Sequence, residues 1–360
     1  MTLKIGFVFQ KDSHFKAVYY TALRMQDNKS DFQFFSIDSQ YMPKDACYPI
    51  NNIASDNFGV LVDYDYVICC LGGYLLNIVV GMLRDTDTKV ISLFPGIVSH
   101  YQLDAFLSRL SADEVWLNSK ADFELYDKIC KILGVRNNGR LHGMPWLKKE
   151  HYDDIGKNNI IFFEQTQILG TDIKKSLFIE RIHKFISFHN DKKIFYKIRD
   201  NATDAFFLEF RMLIAKYDNV CVIDSIDCIN ADTYVSLSSS ALINAIVNDK
   251  KAYLLDKNLL DMDSVEFYEH SGLFLDDNLK LDKLINRQWL TDRVCYPLDI
   301  VITNIRKNQY WKPSIAKYTI YWLVLRLCLI DLKYRKLLNK KRLKAIKKSF
   351  EYIKYIFKLI

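Results

Sequence analysis

The run from Thr233 to Asp256 contains a strand, a hydroxyl-rich turn, a helix and a second strand without interruption, which commits this part of the chain to an α/β unit. Val235 and Leu237 alternate with polar neighbours as a short strand does, and Ala241, Leu242, Ala245 and Ile246 then recur at helical spacing. Three serines sit on the turn between them. Ser238 is placed to cap the helix, while Ser239, Ser240 and the free backbone N–H groups of the turn offer a seat for a phosphate.

Two upstream segments point to the same sheet edge. Residues 192–200 read as a strand with apolar Ile194, Tyr196 and Ile198, and it exits through the cations Lys197 and Arg199. Residues 159–163 form an apolar strand that ends in Glu164, Gln165 and Thr166. Ligands of open parallel sheets bind outside the carboxyl ends of the strands, so Gln165, Lys197, Arg199 and the serines are expected to line one crevice.

The rest of the chain repeats the pattern. Strand-like runs at 5–9, 32–37, 66–70, 89–94 and 114–117 alternate with helical patterns at about 13–26, 74–83, 101–110 and 120–133, and a short strand near 140–142 follows. This alternation argues for a parallel, doubly wound sheet. Gly143, Pro145 and a polar stretch then break it, and strands at 159–163, 193–198, 220–223, 233–237 and 251–255 build a second one. The expected architecture is α/β, two Rossmann-like domains facing a cleft, with domains at 1–146 and 147–300 and a basic helical tail at 301–360.

Charge is concentrated in that tail. The formal +7 of the 360-residue chain divides into +9 from Asp331 onward and −2 for the remainder. The apolar stretch 318–330 is interrupted by Arg326 and shorter than the ~20 residues a spanning helix needs. With its aromatic residues and the lysines that follow, it reads first as a helix lying on an anionic membrane surface, the alternative being a terminal helix that packs across both domains. A nearly neutral body argues against a nucleic-acid-binding protein, so no nucleic-acid partner is expected. The eight cysteines show neither paired metal spacing nor a disulfide framework, and a reducing cytoplasm fits, with the tail at the inner face of the cell membrane.

Two such domains, with strand-end cations and a serine turn in the second, resemble the GT-B glycosyltransferases. The order of residues 160–165, 195–200, 235–246, the Ser271 to Phe274 segment and the Trp289 region is similar to a glycosyltransferase family of bacterial capsule and lipopolysaccharide loci, over most of residues 90–300. Bacterial sialyltransferases and Kdo transferases are more distant relatives by this pattern. They carry a Ser-Ser or Ser-Thr motif, matched here by Ser238, Ser239 and Ser240, and a His-Pro motif, whose place is taken by Ile198 and Arg199. An arginine there could still meet the donor phosphate. The resemblance implies a nucleotide-sugar donor, first of all a sialic-acid-like or Kdo-like sugar in its CMP form, and a cell-surface polysaccharide or lipid-linked glycan as acceptor. A UDP- or GDP-hexose transferase and a nucleotide-sugar epimerase share the design.

No Asp-Xaa-Asp motif stands on a strand end, since Asp63 and Asp65 precede a strand, and a metal-independent enzyme without cofactor is expected. An inverting transfer needs a base for the acceptor hydroxyl. Pro95 and Gly96 make a sharp exit from the 89–94 strand, and His100 and Asp104 follow one helical turn apart, so either could be the base. The turn at 70–74, with Gly72 and Gly73, lets backbone approach a ligand.

Overall fold

Strands that are apolar at consecutive positions must be covered on both faces, as in parallel sheets flanked by helices. The first strand shows this, being buried at every position from Ile5 to Phe9. The computed structural model describes residues 2–25, 30–43, 48–149, 158–165, 169–199, 204–226, 231–300, 302, 305–308, 320, 321 and 325. The first domain carries strands β1 (Leu3–Phe9), β2 (Ser30–Ile37), β3 (Ile50–Ile53), β4 (Tyr66–Cys69), β5 (Lys89–Leu93), β6 (Glu114–Leu117) and β7 (Gly139–Leu141), with helices α1 (Asp12–Arg24), α2 (Gly73–Leu83), α3 (Leu103–Leu107) and α4 (Lys120–Leu133). The second carries β8 (Asn159–Phe163), β9 (Lys193–Lys197), β10 (Val220–Ile223), β11 (Thr233–Ser236) and β12 (Lys251–Leu254), with α5 (Asp172–Phe188), α6 (Ala205–Ile214), α7 (Ala241–Val247), α8 (Met262–Tyr268) and α9 (Arg287–Arg293).

Among the described residues every strand pairing is parallel. The first sheet runs β3-β2-β1-β4-β5-β6-β7 and the second β10-β9-β8-β11-β12. This is the expected doubly wound α/β architecture, present twice. Side-chain caps fix where several helices begin. Ser119 accepts from the Asp122 N–H at α4, Thr171 from Lys174 at α5, and Asn286 from Gln288 and Trp289 at α9. Each satisfies donors that the first helical turn leaves unpaired.

The chain crosses between the domains twice, side by side. After β7, His142 accepts from the Leu298 N–H at 2.8 Å and the Met144 N–H donates to the Cys295 carbonyl at 2.9 Å. Gly143 lies between them at φ +85, and a Cβ there would stand 2.2 Å from the Tyr296 carbonyl oxygen. Beyond the second crossing, Ile302 and Ile305 enter the same core cluster as Ile5, Phe7 and Phe34. Asn308 donates its N–H to Asp113 at 2.6 Å, and Leu325 is fully buried in the cluster around Phe106 and Tyr126, with Tyr321 against it. These two residues of the 318–330 stretch are therefore taken up by the first domain. The remainder of that stretch and the basic run from Asp331 lie outside the described residues. No helix among the described residues is long and apolar enough to cross a membrane.

Candidate functional site

Each sheet order reverses once, between β1 and β4 in the first domain and between β8 and β11 in the second. At such a point the connections leave in opposite directions and open a crevice at the carboxyl ends of the strands. In the second sheet, Lys197 stands in register with Phe163, and Phe163 with Ser236, so three neighbouring strands end in one row. Gln165 continues β8 and is partly buried, Arg199 follows β9 with an exposed side chain, and Ser238 to Ser240 follow β11. The structure thus brings the expected donor residues to one sheet edge. The Lys197 ammonium donates to the Ile198 carbonyl at 2.7 Å. Thr166 lies outside the described residues.

Below that edge is a buried ion pair that the sequence reading missed. Glu164 is 3 % exposed, and its carboxylate accepts from the Arg211 guanidinium of α6, through Nε at 2.9 Å and through Nη2, and from the Arg199 backbone N–H at 3.0 Å. The hydrogen bond to Glu164 raises the Arg211 pKa, and burial followed by the Glu164 charge holds the Tyr196 phenol well above its ordinary range. Glu164 is a brace for the Arg199 turn, with its oxygens already engaged.

The serine turn differs in detail from the expectation. Ser239, not Ser238, supplies the hydroxyl that accepts from the helix, from the Ala241 N–H at 3.2 Å. The Ser239 N–H itself folds back on the Ser236 hydroxyl at 3.3 Å, and that hydroxyl donates to the Phe163 carbonyl at 3.2 Å. With this tight return α7 starts at Ala241, and its N-cap position falls to Ser240, whose side chain makes no capping bond. Ser238 and Ser239 are half-buried and Ser240 is exposed.

In the first domain, His100 and Asp104 do not share a helix face. His100 lies in a turn closed by the Gln102 N–H on the Ser99 carbonyl at 3.1 Å, and α3 begins only at Leu103. The Pro95 to Val98 segment enters a non-helical path that delays the helix, so Asp104 stands exposed in its first turn. The His100 ring faces the opposite domain instead. Its Nε2 is 3.1 Å from Asp122 Oδ1, its Nδ1 is 3.8 Å from Glu266 Oε1, and its backbone N–H donates to Glu266 Oε2 at 2.7 Å. Asp122 is buried in the first turn of α4, and Glu266, on α8, also accepts from Arg293 of α9. With the Asp122 carboxylate as acceptor, the imidazole would carry its proton on Nε2 and present Nδ1 to the Glu266 side. A cavity of about 400 Å³ opens beside His100, walled by Ala121 of α4, by α8 and α9, and by Glu269, His270 and Asn286 between them.

The model of the family described as "putative glycosyltransferase (DUF6716)" matches residues 59–294 of this chain, which takes in the sheet edges and the cavity just described. The chain belongs to this family. No curated protein matches it in sequence. Among solved structures, the chain resembles a putative UDP-N-acetylglucosamine 2-epimerase of Listeria monocytogenes at 10% identity, covering 78% of this chain and 86% of that one with a TM-score of 0.55. It also resembles the UDP-GlcNAc 2-epimerase of Methanocaldococcus jannaschii in complex with UDP-GlcNAc and UDP, at 11% identity, 80% and 91% coverage and a TM-score of 0.53. The UDP-GlcNAc 2-epimerase of Neisseria meningitidis bound to UDP-GlcNAc gives 9% identity, 80% and 89% coverage and a TM-score of 0.52. At these identities the likeness is one of fold, the GT-B arrangement of two facing Rossmann-like domains.

In this family member the crevice of the first sheet is shaped by Arg109, a residue the sequence reading passed over. Its guanidinium is buried, lies 4.0 Å over the Phe94 ring, and donates to the Ala105 carbonyl at 2.6 Å. A Cβ on Gly72 would sit 3.4 Å from its Nη1, so the glycine turn at 72–73 passes directly over a cation. Burial first, then Arg109 and Lys11, lower the His14 pKa to about 4. Asp63 and Asp65, by contrast, precede β4 at the far edge of the sheet, where Asp65 accepts from the Lys4 N–H at 2.8 Å.

Proposed function

We propose that this glycosyltransferase-family protein is an inverting, metal-independent enzyme that takes a nucleotide-sugar in the second domain and a glycan or lipid-linked acceptor from the first. The observation that carries the reading is His100, oriented by Asp122 and turned across the cleft toward the domain that holds the serine turn. In a single displacement the acceptor hydroxyl attacks the anomeric carbon of the donor sugar as His100 Nδ1 takes its proton. The bond from that carbon to the phosphate oxygen breaks, and its electron pair leaves with the nucleotide. Lys197, Arg199, Gln165 and the Ser238 to Ser240 turn are the groups proposed to receive the phosphate charge, with Arg199 the strongest contributor because a guanidinium binds phosphate through charge-assisted bonds. Asp104 is the other candidate for the base.

Thermal shift with CMP, UDP, GDP and ADP tests the donor site. At least one should raise the melting temperature, and Arg199→Ala should weaken that nucleotide. Slow donor hydrolysis, with water as acceptor, should fall in His100→Ala while binding is spared. A chain indifferent to all four nucleotides would sink the reading. The similarity to UDP-GlcNAc 2-epimerases favours one second reading, an epimerase. Conversion of UDP-GlcNAc to its C2 epimer without any acceptor would establish that instead.

A further inference from the structure

We infer that Arg293 is a positioning residue that ties the sugar in the cavity to the placement of His100: one guanidinium nitrogen holds the carboxylate on which the His100 turn rests, and the other is kept for an oxygen of the transferred sugar. The inference rests on the proposal that the second domain holds the donor and that His100 is the base. Most of the cavity wall comes from the second domain, and that wall is joined to the serine turn. Tyr268 donates its hydroxyl to the Ser239 carbonyl at 3.3 Å, and its ring stacks at 6.0 Å on Trp289, which lines the cavity. The volume suits a sugar ring and the reacting hydroxyl, lying within the range of small-ligand sites.

Arg293 closes α9 with its side chain 13% exposed, lines the cavity with His100 and Trp289, and lies 5.5 Å over the Phe267 ring. Its two terminal nitrogens are used unequally. Nη2 donates to Glu266 Oε1, the oxygen 3.8 Å from His100 Nδ1, while Glu266 Oε2 accepts the His100 backbone N–H at 2.7 Å. One carboxylate thus holds the His100 turn by its backbone and meets the ring with its other oxygen, and Arg293 fixes that carboxylate. Nη1 is buried and has no hydrogen-bond partner among the described residues. A buried N–H in that state costs free energy until an acceptor reaches it, and a cationic donor binds an oxygen more strongly than a neutral one does. Trp289 does not compete for the same oxygen, because its indole N–H is held by the Phe267 carbonyl at 2.8 Å and only its ring faces the ligand. The guanidinium is a rigid fork, so an oxygen bound at Nη1 sets the plane in which Nη2 holds Glu266. A hydroxyl, ring or acetyl oxygen of the sugar supplies that acceptor, and a bare nucleotide at the sheet edge leaves Nη1 unmet.

The test uses the full chain and sets each nucleotide against its sugar form: UDP against UDP-glucose and UDP-GlcNAc, GDP against GDP-mannose, CMP against CMP-N-acetylneuraminate. In wild type at least one sugar form should bind tighter than its nucleotide, and it should slow hydrogen exchange in the segment that carries the His100 amide, which the nucleotide alone leaves unchanged. Arg293→Lys keeps the charge that Glu266 needs, but its single ammonium lacks the fork that serves both partners. In this variant affinity for the bare nucleotide should stay within about twofold of wild type, while the sugar form should lose about tenfold, the worth of one charge-assisted hydrogen bond. The kcat of slow donor hydrolysis should fall by a similar factor. Equal losses for nucleotide and sugar form would make Arg293 a brace of the fold, and wild-type affinity and kcat would leave it without a role; either overturns the inference and leaves the nucleotide site standing. So does a wild type in which no sugar form outbinds its nucleotide, or in which both slow exchange at His100 alike. Failure of every nucleotide to bind overturns the donor site itself and this inference with it. The wild-type exchange comparison decides the matter even if Arg293→Lys does not fold.

Discussion

Removing the Glu164 carboxylate should unsettle the second domain more than any exposed change at the same edge. The side chain is wholly buried, and Glu164→Ala would leave the Arg211 guanidinium, whose side chain is 13% exposed, facing a site with no counter-charge. Loss of one member of a buried pair costs about 3–5 kcal/mol, and the residual solvent contact of Arg211 places this case near 3. For domains of this size that is a fall of roughly 6–12 °C in melting temperature, read by calorimetry on the transition that includes the second domain. Two controls separate charge from shape. Glu164→Gln keeps an acceptor for the Arg199 N–H and should lose less, and Arg211→Met in the Glu164→Ala background should recover much of the loss by removing the stranded cation. Because Glu164 also holds the Arg199 turn, nucleotide affinity should fall in Glu164→Ala even where the protein is fully folded. A Glu164→Ala protein that melts within a degree of wild type, or no recovery on adding Arg211→Met, would refute the reasoning.

Asp122→Asn should lower turnover by roughly tenfold or more with donor affinity intact, because an amide no longer fixes the imidazole tautomer, and His100→Ala should lower it by about 10²–10⁴; full activity in both would remove His100 from the reaction. His142, stacked on Trp116 at 4.4 Å, has its pKa lowered from 6.5 to about 3, by burial first and then by Arg140 and Arg24. Between those values the unfolded chain binds a proton that the folded chain refuses, so this contribution to stability is intact above pH 6.5 and is lost toward pH 3 at about 1.4 kcal/mol per pH unit. Urea titrations at pH 7 and 4.5 should show the loss in wild type and a smaller one in His142→Phe; equal losses would remove His142 as the source. Finally, the +9 run from Asp331 onward should make the full chain co-sediment with anionic vesicles at low salt and release it at high salt; indifference at both salts would leave the tail without a membrane role.

The strands were legible because their apolar runs are continuous and bounded by turn residues. β8 and β10 start and stop where the pattern places them. β3 was not legible, since Asn51 and Asn52 occupy its centre and an edge strand needs only its ends covered. Nor were α8 and α9, each seven residues and under two turns, too short for a helical period to declare itself. At the site, residues on strand ends were readable because register alone carries them to one edge. Asp122, Glu266 and Arg293 were not, as their meeting with His100 depends on two chain segments more than a hundred residues apart. A local signal did exist for Asp122. Ser119 followed three residues later by an acid is a helix-start pattern, and it places a carboxylate at the head of α4 beside the β5 exit.

The return of the chain beside Gly143 also sets an order of events on the ribosome. Among the described residues, everything the second domain buries has been synthesised once α9 and its following turn emerge, whereas the first domain still lacks Ile302, Ile305 and Leu325 from its interior. At ordinary elongation rates, the interval between the end of β7 and the arrival of Leu325 is on the order of ten to a few tens of seconds. For that time the nascent first half exposes the apolar seats of those three side chains, including the surface around Ile5 and Phe7. A gene truncated after the second crossing would make the exposure permanent, so the first half expressed alone should be the aggregation-prone fragment.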